Sequence, residues 1–427
     1  MSTSAAQISE FIRANDIKFV RLAFCNLFGM QKNISVNAAH FERSLSNGIP
    51  FDASSVQGFS PSGADDALLF PDLDTLTVLP WRPTQGRVAR FLCDLMSGEG
   101  KPLALDTRHV LKNAVAAAKK MDLEIKLGPE CEFYLFQTDD NGEPTDRPHD
   151  SGTYFDIAPL DKGENIRREI CLTLEEMGMF PEASHHEAGP GQNEIDFRYN
   201  KALAAADDFL TFKSVVKAIA SLNGLYASFM PRPLPNQSGN GLHINASLYR
   251  GGVNLMDGFK AGNHQIAEQF IAGVLDHITE MSAFLNPTIN SYDRLGLPQA
   301  PSAISWSLHN RSNLIRLPAE SGERARFELR SPDPAVNPYL AFALMIYAGL
   351  DGIERGLTLS GPSVVSGELP ASLSDALTLA ENSRFIETTL GTAITQRYIT
   401  QKRDETAAFV SSGNKPAFYA EQYFRTL

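Results

Sequence analysis

Four segments that lie far apart in the chain alternate polar and apolar residues as strands do. In residues 128–133, Glu130 and Glu132 alternate with Cys131 and Phe133. Because successive side chains of a strand point to opposite faces, the two carboxylates should share one face of a sheet. Residues 192–197, 242–247 and 326–330 repeat this alternation. The four segments predict a sheet with one polar face and one face buried against a core.

The polar positions of these segments, and of the nearby His-His-Glu stretch, are of types that bind cations. They are Glu130, Glu132, Glu187, Glu194, His243 and Glu328. A set so rich in oxygen suits magnesium or manganese better than zinc. Six ligands exceed what one magnesium ion usually takes from protein, so we expect two or more ions in the site. Taken singly, a Glu-x-Glu pair is usually solvated and a lone histidine usually lies in a core; their joint occurrence favours a site.

Arginines form a second cluster. Arg294, Arg311 and Arg316 fall within one stretch, and Arg330 stands beside a predicted ligand. A planar guanidinium pairs with carboxylate and phosphate through two bonds, so arginines beside a dication site indicate an anionic substrate and a transferring phosphoryl group. The alternative is ordinary surface salt bridging, which contributes little.

Helix and turn signals divide the chain into two predicted domains of α+β class. Ser4 and Gln7 predict a capping box for a helix through about Ala14. Strands follow over residues 17–24, 33–36 and 76–79, and residues 97–102 make the best linker. We therefore expect a small domain over residues 1–104 and a large one over residues 105–427.

The large domain should combine the four strands with helices over residues 108–121, 165–178, 205–223, 263–284, 334–354 and 371–403. Helices that run between antiparallel strands favour an α+β architecture over a doubly wound parallel sheet. The most apolar window, residues 340–350, predicts a buried helix that Pro338 opens and that ends near Gly349. This window is about half the length that crosses a bilayer.

Composition narrows the class of protein. With 427 residues, 43% of them hydrophobic, the chain can bury a large core. A formal charge of -12 without a basic run argues against nucleic-acid binding. The four cysteines form no CxxC pair and the N-terminus lacks a signal-peptide layout, so we expect a cytoplasmic protein that is not in a membrane. No Walker A or GxGxxG motif occurs, although the glycine-rich residues 235–241 could approach a ligand closely.

In their order along the chain, these motifs resemble the glutamine synthetase family of the bacterial class I type. The resemblance runs from about residue 17 to about residue 405. It rests on residues 51–55, 128–133, 154–156, 185–187, 191–194, 239–243, 290–294, 310–312, 328–334 and 337–342. It implies a small β-grasp-like N-terminal domain and a catalytic domain in which helices pack an antiparallel sheet cradle.

The resemblance implies an ATP-dependent ligase. ATP would phosphorylate the γ-carboxylate of L-glutamate, and ammonia or an amine would then displace phosphate to give an amide. Mg²⁺ or Mn²⁺ would lie in two sites, one held by Glu132, Glu187 and Glu194 and the other by Glu130, His243 and Glu328. Dications and preorganised positive charge suit phosphoryl transfer.

The resemblance also assigns the remaining site residues. Arg294, Arg330 and Gly239 would bind glutamate, with Arg294 and Arg311 acting on the reacting groups. The nucleotide would contact His185, Asn245, Ser247, Arg311, Arg316 and Arg326. The acceptor pocket would contain Asp52, Ser55 and Tyr154. Asp52, the catalytic base, would come from a neighbouring subunit of a homo-oligomer, usually a dodecamer of two rings.

One departure from the family pattern concerns the acceptor. The family's flap carries a glutamate that removes a proton from ammonium, whereas this chain has Gln299 in a flap one residue shorter. A glutamine side chain can neither accept that proton nor attract a cation by charge. We therefore expect a small organic amine as acceptor. The alternatives are glutamine synthesis from ammonia with Asp52 as the base, and a catalytically silent relative.

Two other departures lie elsewhere. Asn245 replaces the second histidine of the family's His-x-His pair, and Ser238 replaces an asparagine before the glycine pair. Residues 356–374 contain no tyrosine, so control by adenylylation is not expected.

Overall fold

The N-terminal part of the protein is built around a six-stranded sheet. The computed structural model describes residues 4–59, 66–82, 84–257, 259 and 264–427, without the side chain of Arg43. The strands of the small sheet are β1 Ile17–Cys25, β2 Gln31–Asn37, β3 Ile49–Phe51, β4 Ala67–Pro71, β5 Thr77–Val78 and β6 Arg87–Met96. Their order is β2-β1-β6-β4-β3, with β5 also beside β6. β1 and β6 run parallel, and the other pairs are antiparallel.

An eleven-stranded sheet forms the second part. Its path runs β16-β17-β18-β13-β7-β10-β9, with β8, β11, β12 and β14 paired beside it. The strands are β7 Glu124–Thr138, β8 Pro144–Pro148, β9 Pro181–His186, β10 Gln192–Phe197, β11 Asn200–Lys201, β12 Leu225–Ser228, β13 Leu242–Arg250, β14 Val253–Asn254, β16 Trp306–Leu308, β17 Ile315–Leu317 and β18 Phe327–Leu329. β15 Ala303–Ile304 and β19 Gly367–Glu368 form a separate ladder.

Helices flank these sheets and confirm the α+β class. They span Ala5–Ala14, Phe41–Asn47, Thr107–Lys120, Glu164–Glu176, Ala202–Leu222, Gln265–Leu285, Ser291–Arg294, Pro338–Glu354, Leu373–Glu381, Arg384–Leu390, Thr392–Ser412 and Lys415–Tyr419. The first helix has the predicted capping box between Ser4 and Gln7. No helix in the described part of the chain is long and apolar enough to cross a membrane.

The predicted apolar face of the large sheet is buried. Phe133, Ile195, Leu242, Ile244, Phe327 and Leu329 all belong to one core cluster, against which Phe197 packs while partly buried. A second cluster fills the small domain, from Ile8 to Leu95. Each sheet therefore has its own core, as the two-domain interpretation requires.

Two helix predictions need correction. The helix Pro338–Glu354 ends where the prediction over residues 334–354 placed its end, whereas the expected end near Gly349 is wrong, because Gly349 and Gly352 face the helix Gln265–Leu285 at close range. A Cβ added to Gly352 would lie 2.2 Å from the Gln269 carbonyl oxygen, so the glycines permit packing and do not end the helix. The single helix predicted over residues 371–403 is three helices, which break before Ser383 and at Gly391.

Buried polar contacts join the two domains. The guanidinium of Arg108 contacts Asp72 and Asp94 of the small domain and Asp207 of the helix Ala202–Leu222. Asn337 donates to the carbonyl oxygens of Asn26 and Leu27, in the turn between β1 and β2. This junction holds the small domain against the helices behind the large sheet.

Candidate active site

The register of the large sheet places the predicted ligands side by side. On β7, Glu130 is paired with His243 of β13 on one side and with Asp196 of β10 on the other. Glu132 is paired with Glu194, which is itself paired with His185 of β9. Because cross-strand partners point to the same face, one polar surface runs across these four strands.

At one end of this surface His243 joins two carboxylates. Its Nδ1 lies 3.4 Å from Glu130 Oε2 and 3.5 Å from Glu328 Oε1. Glu328 is also paired with Arg330 and lies 2.7 Å from Arg316 Nε. Glu130, His243 and Glu328 are thus neighbours, as the resemblance implies for one cation site.

The three carboxylates of the second predicted cation site, Glu132, Glu187 and Glu194, do not form a group separate from the first. Ligand atoms of Glu130, Glu194 and His243 can lie within 4.8 Å of one another, and so can those of His185, Glu187 and Glu194. Glu194 therefore belongs to both groups. Glu132 accepts hydrogen bonds from the Gly241 amide at 2.7 Å and from Gln192 Nε2 at 3.2 Å.

Burial and neighbouring charges shift the pKa values of several carboxylates in this cluster. Burial, and then the charge of Glu132, raise the pKa of Glu187, and the same causes hold the pKa of Glu194 well above its usual range. Glu328 Oε2 is buried and forms an ion pair with Arg316, although the contact lacks hydrogen-bond geometry. At Glu130, burial favours the neutral form, but contacts with His243 and Asn245 outweigh it and lower the pKa to about 2. Crowded, buried carboxylates fit divalent cations.

The arginines predicted to bind substrate lie beside this cluster and differ in their burial and in their partners. Arg294 is buried and donates to the carbonyl oxygens of Ser331 at 2.8 Å and Pro332 at 3.2 Å. Arg330 is buried and bonded to Glu328 and to the Arg311 carbonyl oxygen. Arg311, by contrast, has an exposed side chain without a carboxylate partner among the described residues. Its guanidinium is free to meet a phosphoryl group.

Glycines keep the space between Arg294 and the carboxylates open. A Cβ on Gly239 would lie 2.8 Å from Arg294 Cγ, and one on Gly241 would lie 2.7 Å from Arg294 Nη2 and 3.0 Å from His243 Nε2. Gly239 thus lies beside Arg294, and Gly241 lies beside Arg294, His243 and Glu132.

Three of the predicted nucleotide contacts line one cleft of about 530 Å³ together with Glu130, namely Asn245, Ser247 and Arg326. Arg326 Nε donates to Asn245 Oδ1 at 2.8 Å, and Asn245 donates to Glu130. His185, Arg311 and Arg316 lie outside the lining of this cleft.

Tyr154 lies beside His185, with ring centroids 5.5 Å apart, and stacks on Phe155 at 4.1 Å. The carboxylate of Asp52 is exposed and accepts from Ser54 and Ser55, with no hydrogen bond or ion pair to the large sheet in the described residues. In the described residues, neither hydrogen bonds nor ion pairs therefore connect Asp52 and Ser55 to the cluster.

Gln299 is exposed and adopts a φ of +66° in the short flap. Its carbonyl oxygen accepts from Arg330 Nη2 at 3.3 Å. The flap is therefore tied to the site by its backbone, while the amide side chain stays uncommitted.

Several site residues were missed from the sequence. Asp196 shares the face of Glu130, and burial followed by the charge of Glu130 raises its pKa to about 7. Its position two residues after Glu194 was the available signal. Gln192 and Gly241, which bond to Glu132, lie in motifs that the sequence analysis noted, residues 191–194 and 239–243, but they were given no role there.

Comparisons with known proteins agree with this geometry. The β-grasp domain of glutamine synthetase matches residues 16–98, and its catalytic domain matches residues 104–419. The glutamine synthetase of Clostridium saccharobutylicum is 44% identical over 93% of this chain and 94% of its own length. That of Methanosarcina mazei is 44% identical over 94% of both chains.

Solved structures give the same result. A GmaS/ADP complex superimposes with a TM-score of 0.86 at 33% identity, covering 94% of this chain and 96% of the other. The Plasmodium falciparum glutamine synthetase shares the fold, with a TM-score of 0.87 at 24% identity over 99% of both chains. On its motifs, its fold and these relatives, the chain belongs to the glutamine synthetase family.

Proposed function

We propose that this protein is a γ-glutamyl ligase that joins glutamate to a small organic amine. Membership of the family makes it an ATP-dependent ligase that forms carbon–nitrogen bonds from glutamate. The acceptor is the part that the proposal adds. The observation that carries it is Gln299, because the flap from residue 295 to residue 301 contains no carboxylate.

The polar face of the sheet supports the assignment of the cation ligands. Glu130, Glu132, Glu187, Glu194, His243 and Glu328 would hold two or more Mg²⁺ or Mn²⁺ ions. When bound, these ions would neutralise the phosphoryl oxygens. Arg311 is exposed and unpaired, so it would meet the transferring phosphoryl group, with Arg316 beside it.

ATP fits the cleft beside Glu130. Asn245, Ser247 and Arg326 line it, and its end at Glu130 lies next to the cation ligands. A triphosphate that enters along this cleft would present its terminal phosphate to the cations. The GmaS structure solved with ADP supports a nucleotide in a relative of the same fold.

Glutamate would lie at the opposite end of the polar face, against Gly239 and near Arg294 and Arg330. Both guanidiniums are buried and held by backbone carbonyl groups, so their positive charge is preorganised for a carboxylate. Asp52 bonds only to Ser54 and Ser55 among the described residues, and it makes no hydrogen bond or ion pair to this cluster. We therefore propose that a neighbouring subunit supplies Asp52 and Ser55, in a homo-oligomer that is a two-ring dodecamer.

The acceptor proposal follows from charge and size. An uncharged side chain at position 299 lacks the negative charge and the base by which the flap glutamate of the family selects ammonium, so the flap no longer favours ammonium over a small amine. A neutral, exposed flap leaves room for an alkyl group on the acceptor nitrogen. Asp52 would then serve as the base that takes the proton from the bound amine.

Exchanging Gln299 tests this proposal. Gln299→Glu should raise kcat/KM for ammonia and lower it for amines, while Gln265→Glu, the same change at an exposed helix start, should leave both unchanged. If Gln299→Glu and the wild-type protein have the same acceptor preference, residue 299 does not determine the acceptor.

Glutamine synthesis from ammonia is the second candidate. It is favoured by the curated relatives, which are glutamine synthetases at 44% identity. A catalytically silent relative is disfavoured, because all six ligand-type residues and four arginines are retained.

A further inference from the structure

A buried carboxylate connects two segments that border the candidate active site. Asp150 Oδ1 accepts from the Gly191 amide at 2.7 Å and from the Gly152 amide at 3.2 Å. Its Oδ2 accepts from the Lys162 amide at 3.0 Å. Asp150 thus holds the loop that begins with it and the turn between β9 and β10, although the sequence analysis gave it no role.

His186 connects Asp150 to Glu187, a proposed cation ligand. Its Nε2 lies 2.9 Å from Asp150 Oδ1, and its Nδ1 lies 2.7 Å from the carbonyl oxygen of Glu187. The imidazole is fully buried between these two acceptors. Asp150 therefore fixes the ring, and the ring fixes the peptide group from which the Glu187 side chain extends.

His186 also bonds to the segment that contains Tyr154 and Phe155. The amide of Phe155 donates to the His186 carbonyl oxygen at 3.0 Å. Phe155 has a φ of +62°, a conformation that bulky residues seldom adopt without support from their surroundings. Its ring stacks on Tyr154, so the position of Tyr154 depends on the same support.

We propose that Asp150 is a positioning residue that sets Glu187 and the Tyr154–Phe155 pair together, acting through His186. The inference rests on the proposed function, in which Glu187 holds a cation and Tyr154 borders the acceptor. Partners that orient metal ligands change metal affinity or activity about 10- to 100-fold when removed.

Asp150→Asn keeps the size of the side chain and removes its charge. Asp150→Ala removes the carboxylate group and all of its hydrogen bonds. Asp161→Asn is the matched control. Asp161 is equally buried in the same loop and bonds to Gly163 and Arg167, but it makes no hydrogen bond to His186.

Mn²⁺ binding measured by electron paramagnetic resonance, without substrates, is the first readout. Asp150→Asn should weaken it about tenfold, and Asp150→Ala more, with Asp161→Asn within twofold of wild type. Kinetics should show a larger rise in the KM for the acceptor amine than in the KM for ATP, because the proposed ATP contacts Asn245 and Ser247 lie on β13, which β7 and β10 separate from β9.

Three results would overturn the proposal. Mn²⁺ affinity could stay within twofold of wild type in the folded Asp150→Asn protein, Asp161→Asn could cause the same loss, or the KM for ATP could rise as much as that for the acceptor. If Asp150→Ala does not fold, Asp150→Asn alone decides. A wild-type protein without turnover would contradict the proposed function, whereas the Mn²⁺ measurement would still test Asp150.

Discussion

Arg316 Nε lies 2.7 Å from Glu328 Oε2, on neighbouring strands of the large sheet. Glu328 therefore stands between positive side chains on one side and His243 on the other. A cation bound at Glu130, His243 and Glu328 would share the Glu328 carboxylate with Arg316 and Arg330. This geometry links the cations to the arginines that would face the phosphoryl group.

Removing the charge of Glu328 should therefore stop catalysis while the fold persists. We expect Glu328→Gln to lower kcat/KM at least about a hundredfold, because stabilisation of transition-state charge by a bound cation is lost. Phosphate release and circular dichroism measure the two properties. Glu421→Gln, at an exposed glutamate, should match wild type. Near-normal activity of Glu328→Gln with magnesium would refute the ligand assignment.

A methyl group at Gly241 should disturb both the glutamate and the cation side of the site. The added Cβ would lie 2.7 Å from Arg294 Nη2 and 3.0 Å from His243 Nε2, so these side chains must move. We expect Gly241→Ala to lower kcat/KM for glutamate roughly a hundredfold, as misplaced catalytic groups do. Gly98→Ala, with no atom within 4 Å of the added Cβ, is the control. Equal activity of the two variants would show that the gap at Gly241 has no role.

The junction between the domains should depend on Arg108. Its side chain is 4% exposed and lies within 2.9 Å of oxygens of Asp72, Asp94 and Asp207. Arg108→Met would leave the buried Asp207 without its cation, while Lys112 would still pair with Asp72 and Asp94, so we expect roughly 3–5 kcal/mol less stability. Urea denaturation at fixed protein concentration measures this change. Arg355→Met, which breaks an exposed pair, should leave the midpoint near that of wild type, and an equal loss in both variants would contradict the account.

The contribution of Asp106 to stability should fall as pH rises through the acidic range. Burial raises the pKa of Asp106 from 3.8 to about 6. Between these values the folded state holds more protons than the unfolded state, so the free energy of unfolding decreases with rising pH, by roughly 3 kcal/mol for a pKa difference of about two. Asp106→Asn should flatten this dependence between about pH 4 and pH 6, measured by urea denaturation. An unchanged slope in Asp106→Asn, with Asp140→Asn as the exposed control, would contradict the assignment.

The sequence predicted the elements whose signals are local. Alternation located Glu130 and Glu132 on one face of β7, and the capping box placed the start of the first helix at Ser4. Both features depend on spacing between near neighbours, which the sequence contains directly.

Features that depend on packing were not predicted. Gly349 resembles a helix end, and only its approach to the helix Gln265–Leu285 shows that it is an internal packing position. The proximity of Glu194 to both His243 and His185 was likewise not predicted, because it follows from the pairing of β10 with both β7 and β9. The function of Asp150 required contacts across about forty residues of chain, for which a sequence gives no spacing rule.

Phosphate release from ATP, glutamate and magnesium with different acceptors tests the central claim most directly. Ammonia, methylamine, ethanolamine and putrescine would be added in turn to the wild-type protein, and each amide product identified by mass spectrometry. We predict a higher kcat/KM with one of the amines than with ammonia. A clearly higher kcat/KM with ammonia would contradict the proposal and make the protein a glutamine synthetase that works without a flap carboxylate.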